Sequence, residues 1–288
     1  MTNDDSTFST FGTETRGDIL VLAATGKTGR RVVRRLREAG APVRAASRSS
    51  EVPFDWTDPG TWGAALDGVR GVYLVAPDAP SPVGDFVAQA AKAGVERFAV
   101  LSGHGIEHTG PDFGQGMVAA EEAAQASGAA WTIIRPNNFF QNFTEDLWLE
   151  PVRSGRLALP IGTVPEPFVD ADDVAAVAVA ALTEDGHDGQ VYELSGPRAI
   201  TFAEAARAIG EAAGREVRFE ELTPEQYRAE LVGQGFPEEA ATALNAMFAL
   251  HRDGHTAEVV DGVQRALGRP AADFHEWVRR TAATGEWA

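Results

Sequence analysis

The chain has 288 residues, of which 44% are apolar and 23% charged, as is typical of a folded protein with a sizeable core. Its formal net charge of -17 disfavours binding to nucleic acid or anionic membranes, because both require a positive protein surface. The absence of cysteine excludes disulfides, thiolate catalysis and cysteine-bound metals. We therefore expect a globular protein whose partner is a small molecule.

The first residues, MTNDDSTFSTFGTETR, are polar and acidic. They contain neither the basic start nor the apolar segment of a signal peptide. No apolar run in the chain approaches the roughly 18 residues of a membrane span. We expect residues 1–16 to form a disordered tail and the protein to be cytoplasmic.

Short apolar runs alternate with helical patterns through the first half of the chain. The runs are DILVLAA (18–24), PVRAAS (42–47), VYLVAP (72–77), RFAVLSG (97–103) and WTIIRP (131–136). Helical segments are expected at 28–39, 83–94 and 117–128, each ending at or next to a glycine. Strands that are nearly all apolar and alternate with helices predict a parallel sheet covered on both faces. We predict an α/β fold, with a doubly wound parallel Rossmann sheet over residues 17–155.

The second half is more helical and more acidic. The segment FVDADDVAAVAVAALTE (168–184) begins with acidic residues, which favour the amino end of a helix. QVYELSGP (190–197) indicates one more strand, and Thr201 and Glu204 in TFAE form a capping box. We predict a smaller, mostly helical lobe over 156–288, partly interleaved with the sheet and containing the substrate pocket.

A glycine turn joins the first predicted strand to the first helix. Gly26 leaves room for a pyrophosphate to approach the backbone, and Gly29 allows the helix to pack closely on the strand. Thr25, Lys27 and Thr28 lie beside the free amides of the helix start, which suit an anion. Ala23 stands where the first glycine of the dinucleotide fingerprint is expected, a change that removes no donor. The alternative is an ordinary strand–helix turn with no ligand.

The end of the second predicted strand bears on the choice of cofactor. NAD sites usually place an acidic residue there for the ribose 2′-hydroxyl, whereas this chain has Ser-Arg-Ser-Ser at 47–50. Arg48 and the hydroxyls suit a 2′-phosphate, so NADP(H) is favoured over NAD(H). Glu51 lies just beyond and would oppose this if the loop folded back, and a solvated surface arginine is the alternative.

Several segments together resemble a known family. They are VLAATGKTGRRVVRRL, VRAASRS, FDWTDPGTW, GVERFAVLSG, WTIIRPNNFFQNF and PFVDADDVAAVAVAAL. They look like the NmrA-like branch of the atypical short-chain dehydrogenase/reductases, and are similar to its NAD(P)H-binding subgroup that includes ergot-alkaloid iminium reductases. The resemblance covers about residues 18–275. It implies a cofactor site formed by Thr25, Gly26, Lys27, Thr28, Gly29, Arg48, Asp55, Trp56, Ala76, Pro77, Ser102, Pro136, Asn137 and Asn138.

The usual tyrosine–lysine pair of the larger family is missing. Tyr73, Tyr192 and Tyr227 are followed four places later by proline, glycine and leucine, and Met117 and Glu121 stand where the pair would lie. Alcohol–ketone chemistry by that route is therefore disfavoured. Hydride transfer to an iminium, quinone or enone remains open, because such a substrate needs mainly orientation and a dry site.

Candidate catalytic residues lie after the fifth strand and on the following helix. They are Ser102, His104 and Glu121, with His108 as a further histidine on the same loop. A loop histidine bonded to backbone or water, and a solvated helix face for Glu121 and Glu122, are the alternatives. The spacing of His104 and His108 lacks a third ligand, so we expect no metal site.

A substrate pocket is expected after the sixth strand. Its candidate residues are Met117, Phe139, Phe140, Phe143 and Trp148, of which about half belong to the core instead. The sequence thus favours an NADP(H)-dependent reductase of a small hydrophobic electrophile. The alternatives are an NAD(P)-sensing regulator without turnover and a non-redox cyclase or isomerase on the same scaffold.

Overall fold

A computed structural model describes residues 17–80, 82–145 and 147–288. The tail expected at residues 1–16 lies outside the described residues. The strands are β1 (Asp18–Val21), β2 (Val43–Ser47), β3 (Val52–Pro53), β4 (Val69–Val75), β5 (Arg97–Leu101), β6 (Ala130–Pro136), β7 (Arg156–Leu159), β8 (Gln190–Leu194) and β9 (Arg218–Glu221).

The α-helices lie mainly between these strands and after β8. They are α1 (Gly29–Glu38), α2 (Trp62–Leu66), α3 (Val83–Lys92), α4 (Gln115–Ala126), α5 (Asn142–Glu145), α6 (Leu149–Arg153), α7 (Ala171–Thr183), α8 (Phe202–Ala213), α9 (Pro224–Gly233), α10 (Glu238–Arg252), α11 (Gly262–Leu267) and α12 (Phe274–Ala282). None of the described helices is both long enough and apolar enough to cross a membrane.

Seven strands form one sheet in the order β3-β2-β1-β4-β5-β6-β8, and every pairing is parallel. The predicted doubly wound α/β fold is confirmed. The strand order reverses between β1 and β4, and in such sheets the carboxyl ends of the strands beside this reversal bind ligands.

Both faces of the sheet are buried, which explains the continuous apolar runs in the sequence. Leu20 and Val72 belong to the cluster on the side of α3 and α4, whereas Val21 and Tyr73 belong to the cluster on the side of α1 and α7. Successive strand residues point to opposite faces, so a strand covered on both sides must be apolar at every position.

The second half of the chain contributes to the sheet as well as to a separate lobe. Strand β8 pairs with β6, so the sheet is completed by residues beyond the boundary expected at 155. The lobe is built from a two-stranded parallel sheet of β7 and β9 and from helices including α8, α9, α10 and α12 around one aromatic core. The capping box of Thr201 and Glu204 at the start of α8 is present as predicted.

The glycine turn keeps its shape around an alanine. Ala23 has a φ of 49° and is the only non-glycine residue with positive φ in the described part of the chain. Its carbonyl oxygen accepts a hydrogen bond of 2.8 Å from the Gly26 amide. A Cβ on Gly29 would lie 2.1 Å from that same oxygen. The turn therefore requires glycine at position 29 but tolerates alanine at position 23 with some strain.

Two substitutions test this strain in opposite directions. Gly29→Ala should destabilise the protein by about 2 kcal/mol or more, because the clash is with backbone and cannot relax by side-chain rotation. Ala23→Gly should stabilise it by up to about 1 kcal/mol, because relief of a left-handed alanine exceeds the added entropy of the unfolded chain. Urea unfolding followed by circular dichroism measures both. Since Ala23 is exposed, a loss above about 1 kcal/mol in Ala23→Gly would contradict this account.

Candidate functional site

A cavity of about 570 Å³ lies at the carboxyl edge of the sheet. Its walls come from the glycine turn, from the loops after β5 and β6, and from the end of α10 with the turn that follows it. The contributions of the second half are Met247, Leu250, His251 and Thr256. The cavity therefore lies between the sheet and the helical lobe, where both can contact one ligand.

One end of the cavity is formed by the glycine turn. Gly26, Lys27 and Thr28 lie on its wall, while Thr25 is exposed and Gly29 is buried beneath the turn. Helix α1 begins here without a side-chain cap, so its amino end can receive an anion. The Lys27 ammonium donates a hydrogen bond to the Asn142 side chain, which holds it at this end. These residues fit the pyrophosphate of a dinucleotide.

The residues expected around an adenosine lie outside this cavity. Arg48 is exposed after β2, and its charge acts on Asp55, which follows β3. Hydrogen bonds from Thr57 are the main reason why the pKa of Asp55 is below its usual value, and the Arg48 charge adds to them. The Trp56 ring packs edge-on against Phe54 and Phe86, with both pairs of ring centroids 5.1 Å apart. Whether Trp56 flanks an adenine remains a prediction.

The residues expected near a nicotinamide mostly do lie on the cavity wall. Ser102, Pro136, Asn137 and Asn138 line it directly. Ala76 and Pro77 line a side cavity of about 110 Å³ that shares residues, including Met117, with the main one. Helix α4 approaches β4 closely here, since a Cβ on Gly116 would lie 1.7 Å from the Pro77 carbonyl oxygen.

The pocket aromatics divide between cavity and core. Met117 and Phe139 line the cavity, but Phe140, Phe143 and Trp148 are fully or almost fully buried in the core of the helical lobe. The expectation that Phe140 and Phe143 line the pocket is therefore corrected. Phe139 is in a parallel bridge with Val169, and in such extended backbone neighbouring side chains point to opposite sides. Phe140 consequently packs against Phe274, at a centroid distance of 5.3 Å.

Glu121 is held in a buried ion pair rather than on the cavity wall. Its carboxylate accepts hydrogen bonds of 2.9 and 2.7 Å from the Arg135 guanidinium and one of 2.5 Å from the Ser102 hydroxyl. The hydrogen bond to Glu121 is the main reason why the pKa of Arg135 is raised. The burial of Glu121 overturns the expectation of a solvated helix face, and its contacts fix Ser102 and Arg135. A catalytic role for Glu121 stays a prediction.

Neighbouring glutamates on α4 allow a matched test of this role. Glu121→Gln should destabilise the protein by about 2–3 kcal/mol, because it leaves Arg135 with fewer compensating charges in a largely buried site. Glu122→Gln should change stability by less than about 0.5 kcal/mol, because Glu122 is exposed. Chemical unfolding measures both variants. Complete loss of turnover in a stably folded Glu121→Gln variant would instead assign Glu121 to the chemistry.

The two loop histidines have different surroundings. His104 lines the cavity, and its Nδ1 is hydrogen-bonded to the Asn137 side chain. His108 lies outside the cavity and stacks on His255, with ring centroids 3.9 Å apart. In the described part of the chain no group of three or more acidic, histidine or cysteine side chains could hold a metal ion.

A buried polar network on the cavity wall was not foreseen from the sequence. The Glu166 carboxylate is 1% exposed and lies 2.8 Å from His251 Nδ1. It also accepts hydrogen bonds from the Thr256 hydroxyl at 3.0 Å and from the Asn138 amide at 3.1 Å. Burial opposes ionisation, but the charge of His251 and these hydrogen bonds bring the pKa of Glu166 below its usual value. The only sequence signal was a histidine after the apolar run MFAL, and nothing in the sequence links it to Glu166.

The parallel sheet, the uncapped glycine turn and the cavity between sheet and lobe define a nucleotide-binding α/β protein. The NmrA-like family model matches residues 15–278, and this chain belongs to the NmrA-like family. The resemblance seen in the sequence is thereby confirmed.

Named relatives and one solved structure extend this comparison. The chain is 37% identical to the NAD(P)H azoreductase of Xenophilus azovorans, over 92% of this chain and 98% of that one. It is 38% identical to the (4-alkanoyl-5-oxo-2,5-dihydrofuran-3-yl)methyl phosphate reductase of Streptomyces griseus, over 90% and 96% of the two chains. The triphenylmethane reductase of Citrobacter sp., solved with NADP(H), superimposes with a TM-score of 0.78 at 22% identity, over 92% and 99% of the chains. The similarity to the triphenylmethane reductase shows a shared fold alone.

Proposed function

We propose that this protein is an NADPH-dependent reductase of small, mainly apolar molecules that carry an electrophilic double bond. The observation that carries the proposal is the continuous cavity, which joins a glycine turn suited to pyrophosphate to a wall containing Met117, Phe139, Met247 and Leu250. The nicotinamide end of a dinucleotide and an apolar substrate can therefore meet within one cavity.

The chain offers suitable groups for each part of the cofactor. Gly26, Lys27 and Thr28 would hold the pyrophosphate, Arg48 the 2′-phosphate, and Asn137 with Asn138 the nicotinamide end. A bound reduced nicotinamide would supply hydride, that is, one proton together with two electrons. The protein then has to orient the acceptor, exclude water and supply any proton that the product requires.

The lining of the cavity limits the kind of acceptor. Tyr73, Tyr192 and Tyr227 all lie in the described part of the chain, and none of them contributes to the wall. The substrate must therefore be activated without a tyrosine, which favours intrinsically electrophilic groups such as quinones, enones, azo groups or iminium ions. The names of the two relatives at 37% and 38% identity support the same range, since they specify an azo reductase and an oxo-dihydrofuran reductase.

Binding and turnover together test the proposal. Titration with NADPH and NADH, followed by nucleotide fluorescence, should give saturable binding that is tighter for NADPH. Oxidation of NADPH should then be seen with at least one member of a panel of naphthoquinones, azo dyes, cyclic enones and iminium ions. Binding without oxidation by any of them would support a cofactor-sensing regulator instead. Failure to bind either nucleotide would contradict the proposed cofactor site and direct attention to non-redox chemistry.

The preference for NADPH is assigned to Arg48. Arg48→Ala should weaken NADPH binding by about 1–3 kcal/mol and leave NADH binding nearly unchanged, because a charge-assisted contact to the 2′-phosphate is lost. Arg37→Ala is the matched control, since Arg37 is also an exposed arginine but lies at the other end of α1. Fluorescence titration measures both. Equal losses for NADPH and NADH would contradict the 2′-phosphate assignment.

A further inference from the structure

The imidazole of His251 is oriented by buried partners on one side and borders the cavity on the other. Its Nδ1 faces the Glu166 carboxylate at 2.8 Å and the Thr256 hydroxyl at 2.6 Å. Its Nε2 lies 2.9 Å from the Asn138 side-chain nitrogen, and both His251 and Asn138 line the cavity. A carboxylate behind one ring nitrogen is the arrangement that orients a histidine for proton transfer through the other.

The surrounding hydrogen bonds determine which nitrogen carries hydrogen. Asn138 Nδ2 is also 3.3 Å from Glu166 Oε1, so this amide must present its NH₂ group to the carboxylate. The same NH₂ group then faces His251 Nε2, which acts as an acceptor in the neutral ring. The Nδ1 hydrogen points to Glu166 and Thr256. A neutral His251 is therefore held as the Nδ1–H tautomer.

Protonation of His251 creates a hydrogen bond donor at the cavity wall. The positive ring is stabilised by Glu166, a carboxylate that is almost fully buried and that costs free energy unless a charge partner is present. The new Nε2–H, however, faces the NH₂ group of Asn138, which is itself a donor. The imidazolium is therefore stabilised through its Nδ1–H. Its Nε2–H finds no acceptor in Asn138, because Asn138 presents its NH₂ group there. An acceptor that enters the cavity can meet this hydrogen.

We propose that His251, charged by Glu166, is the proton donor that completes the reduction, and that the substrates are those whose reduction leaves an anion. This inference rests on the proposed function. Hydride addition to a quinone, enone or azo group forms a new bond to hydrogen at one atom of the unsaturated system. The π electron pair of the bond that breaks then moves to an oxygen or nitrogen, which becomes an anion. The Nε2–H bond of His251 breaks, the proton goes to that atom, and the neutral imidazole regains a proton from water. An iminium ion accepts hydride to give a neutral amine and requires no such donor.

Other titratable residues on the cavity wall are less well placed. Lys27 lies at the end formed by the glycine turn and is bonded to Asn142. His104 bonds Asn137 through Nδ1, and its Nε2 is directed towards Glu193 at 4.0 Å, a residue that does not line the cavity. Asp78, in the segment after β4, also lines the cavity. His251 thus differs from these groups in having a buried carboxylate behind one ring nitrogen and the side chain of Asn138, another cavity residue, at the other.

The groups that face His251 are Glu166 before α7, Asn138 after β6, Thr256 in the turn after α10 and the Phe248 ring on α10 itself. Arg252, the next residue on the helix, instead donates to the Pro160 carbonyl. Glu166 is therefore the only charged side chain in direct contact with the ring among the described residues.

His251→Gln is the direct test, with His255→Gln as its control. His255 lies on the following turn, is exposed and is absent from the cavity wall. With NADPH and a naphthoquinone, an azo dye and a cyclic enone, His251→Gln should lower kcat/KM by about 10²- to 10⁴-fold. NADPH affinity should stay within about twofold, and His255→Gln should match the wild type. An unchanged kcat/KM in folded His251→Gln would overturn the proposal.

Two further measurements decide the case if His251→Gln does not fold. Glu166→Gln has the same shape but no charge, and should lower kcat/KM with the same three substrates because the imidazolium loses its charge partner, whereas an unchanged kcat/KM would overturn the pairing. Nitrogen-15 NMR of histidine-labelled, cofactor-free protein should show the neutral His251 ring as the Nδ1–H tautomer. The opposite tautomer would overturn the assignment. Lack of wild-type turnover with all three substrates, despite bound NADPH, would instead refute the proposed function.

Discussion

Glu166 accepts hydrogen bonds from segments that are far apart in the sequence, and this buried carboxylate helps hold the helical lobe over the carboxyl edge of the sheet. Asn138 belongs to the loop after β6, whereas His251 and Thr256 belong to the end of α10 and the turn beyond it. A second tie joins the same two regions, because the Asn137 side chain donates to the Thr256 carbonyl at 2.7 Å. A buried charge is tolerated only when such partners surround it. The enclosure of the cavity therefore depends on the same contacts that orient His251.

Beneath the cavity, a second buried ionic group has a different consequence. Arg135 binds Glu121 on α4 and also lies 3.1 Å from Glu107. Ser102 reaches the same carboxylate from the end of β5, so the loop that carries His104 begins at a fixed point. The two ionic groups differ in their access to a ligand. Glu166 acts on a histidine at the cavity wall, whereas Glu121 is occupied by an arginine and stabilises the floor.

The glycine turn shows how a departure from the usual fingerprint is accommodated. An alanine in the left-handed region costs about 1–2 kcal/mol, and a glycine would avoid this strain. The turn nevertheless closes, because Gly26 donates to the Ala23 carbonyl and Gly29 leaves space for that same oxygen. Ala23 is exposed, so its methyl group meets no steric conflict in the core. Alanine at position 23 therefore introduces local backbone strain but leaves the shape of the turn intact.

The sequence by itself determined the α/β fold, the glycine turn and the family, because these depend on local patterns: apolar runs of strand length, glycines at short spacing and helix caps such as Thr201 with Glu204. The tertiary structure alone decided which side chains reach the cavity. Phe139 and Phe140 are neighbours of the same type, yet the extended backbone directs one to the cavity and the other to the core. Glu166 and His251 are separated by most of the helical lobe, and no local pattern links them. Their pairing arises only from the packing of α10 against the segment between β7 and α7, where a buried carboxylate must find its partners.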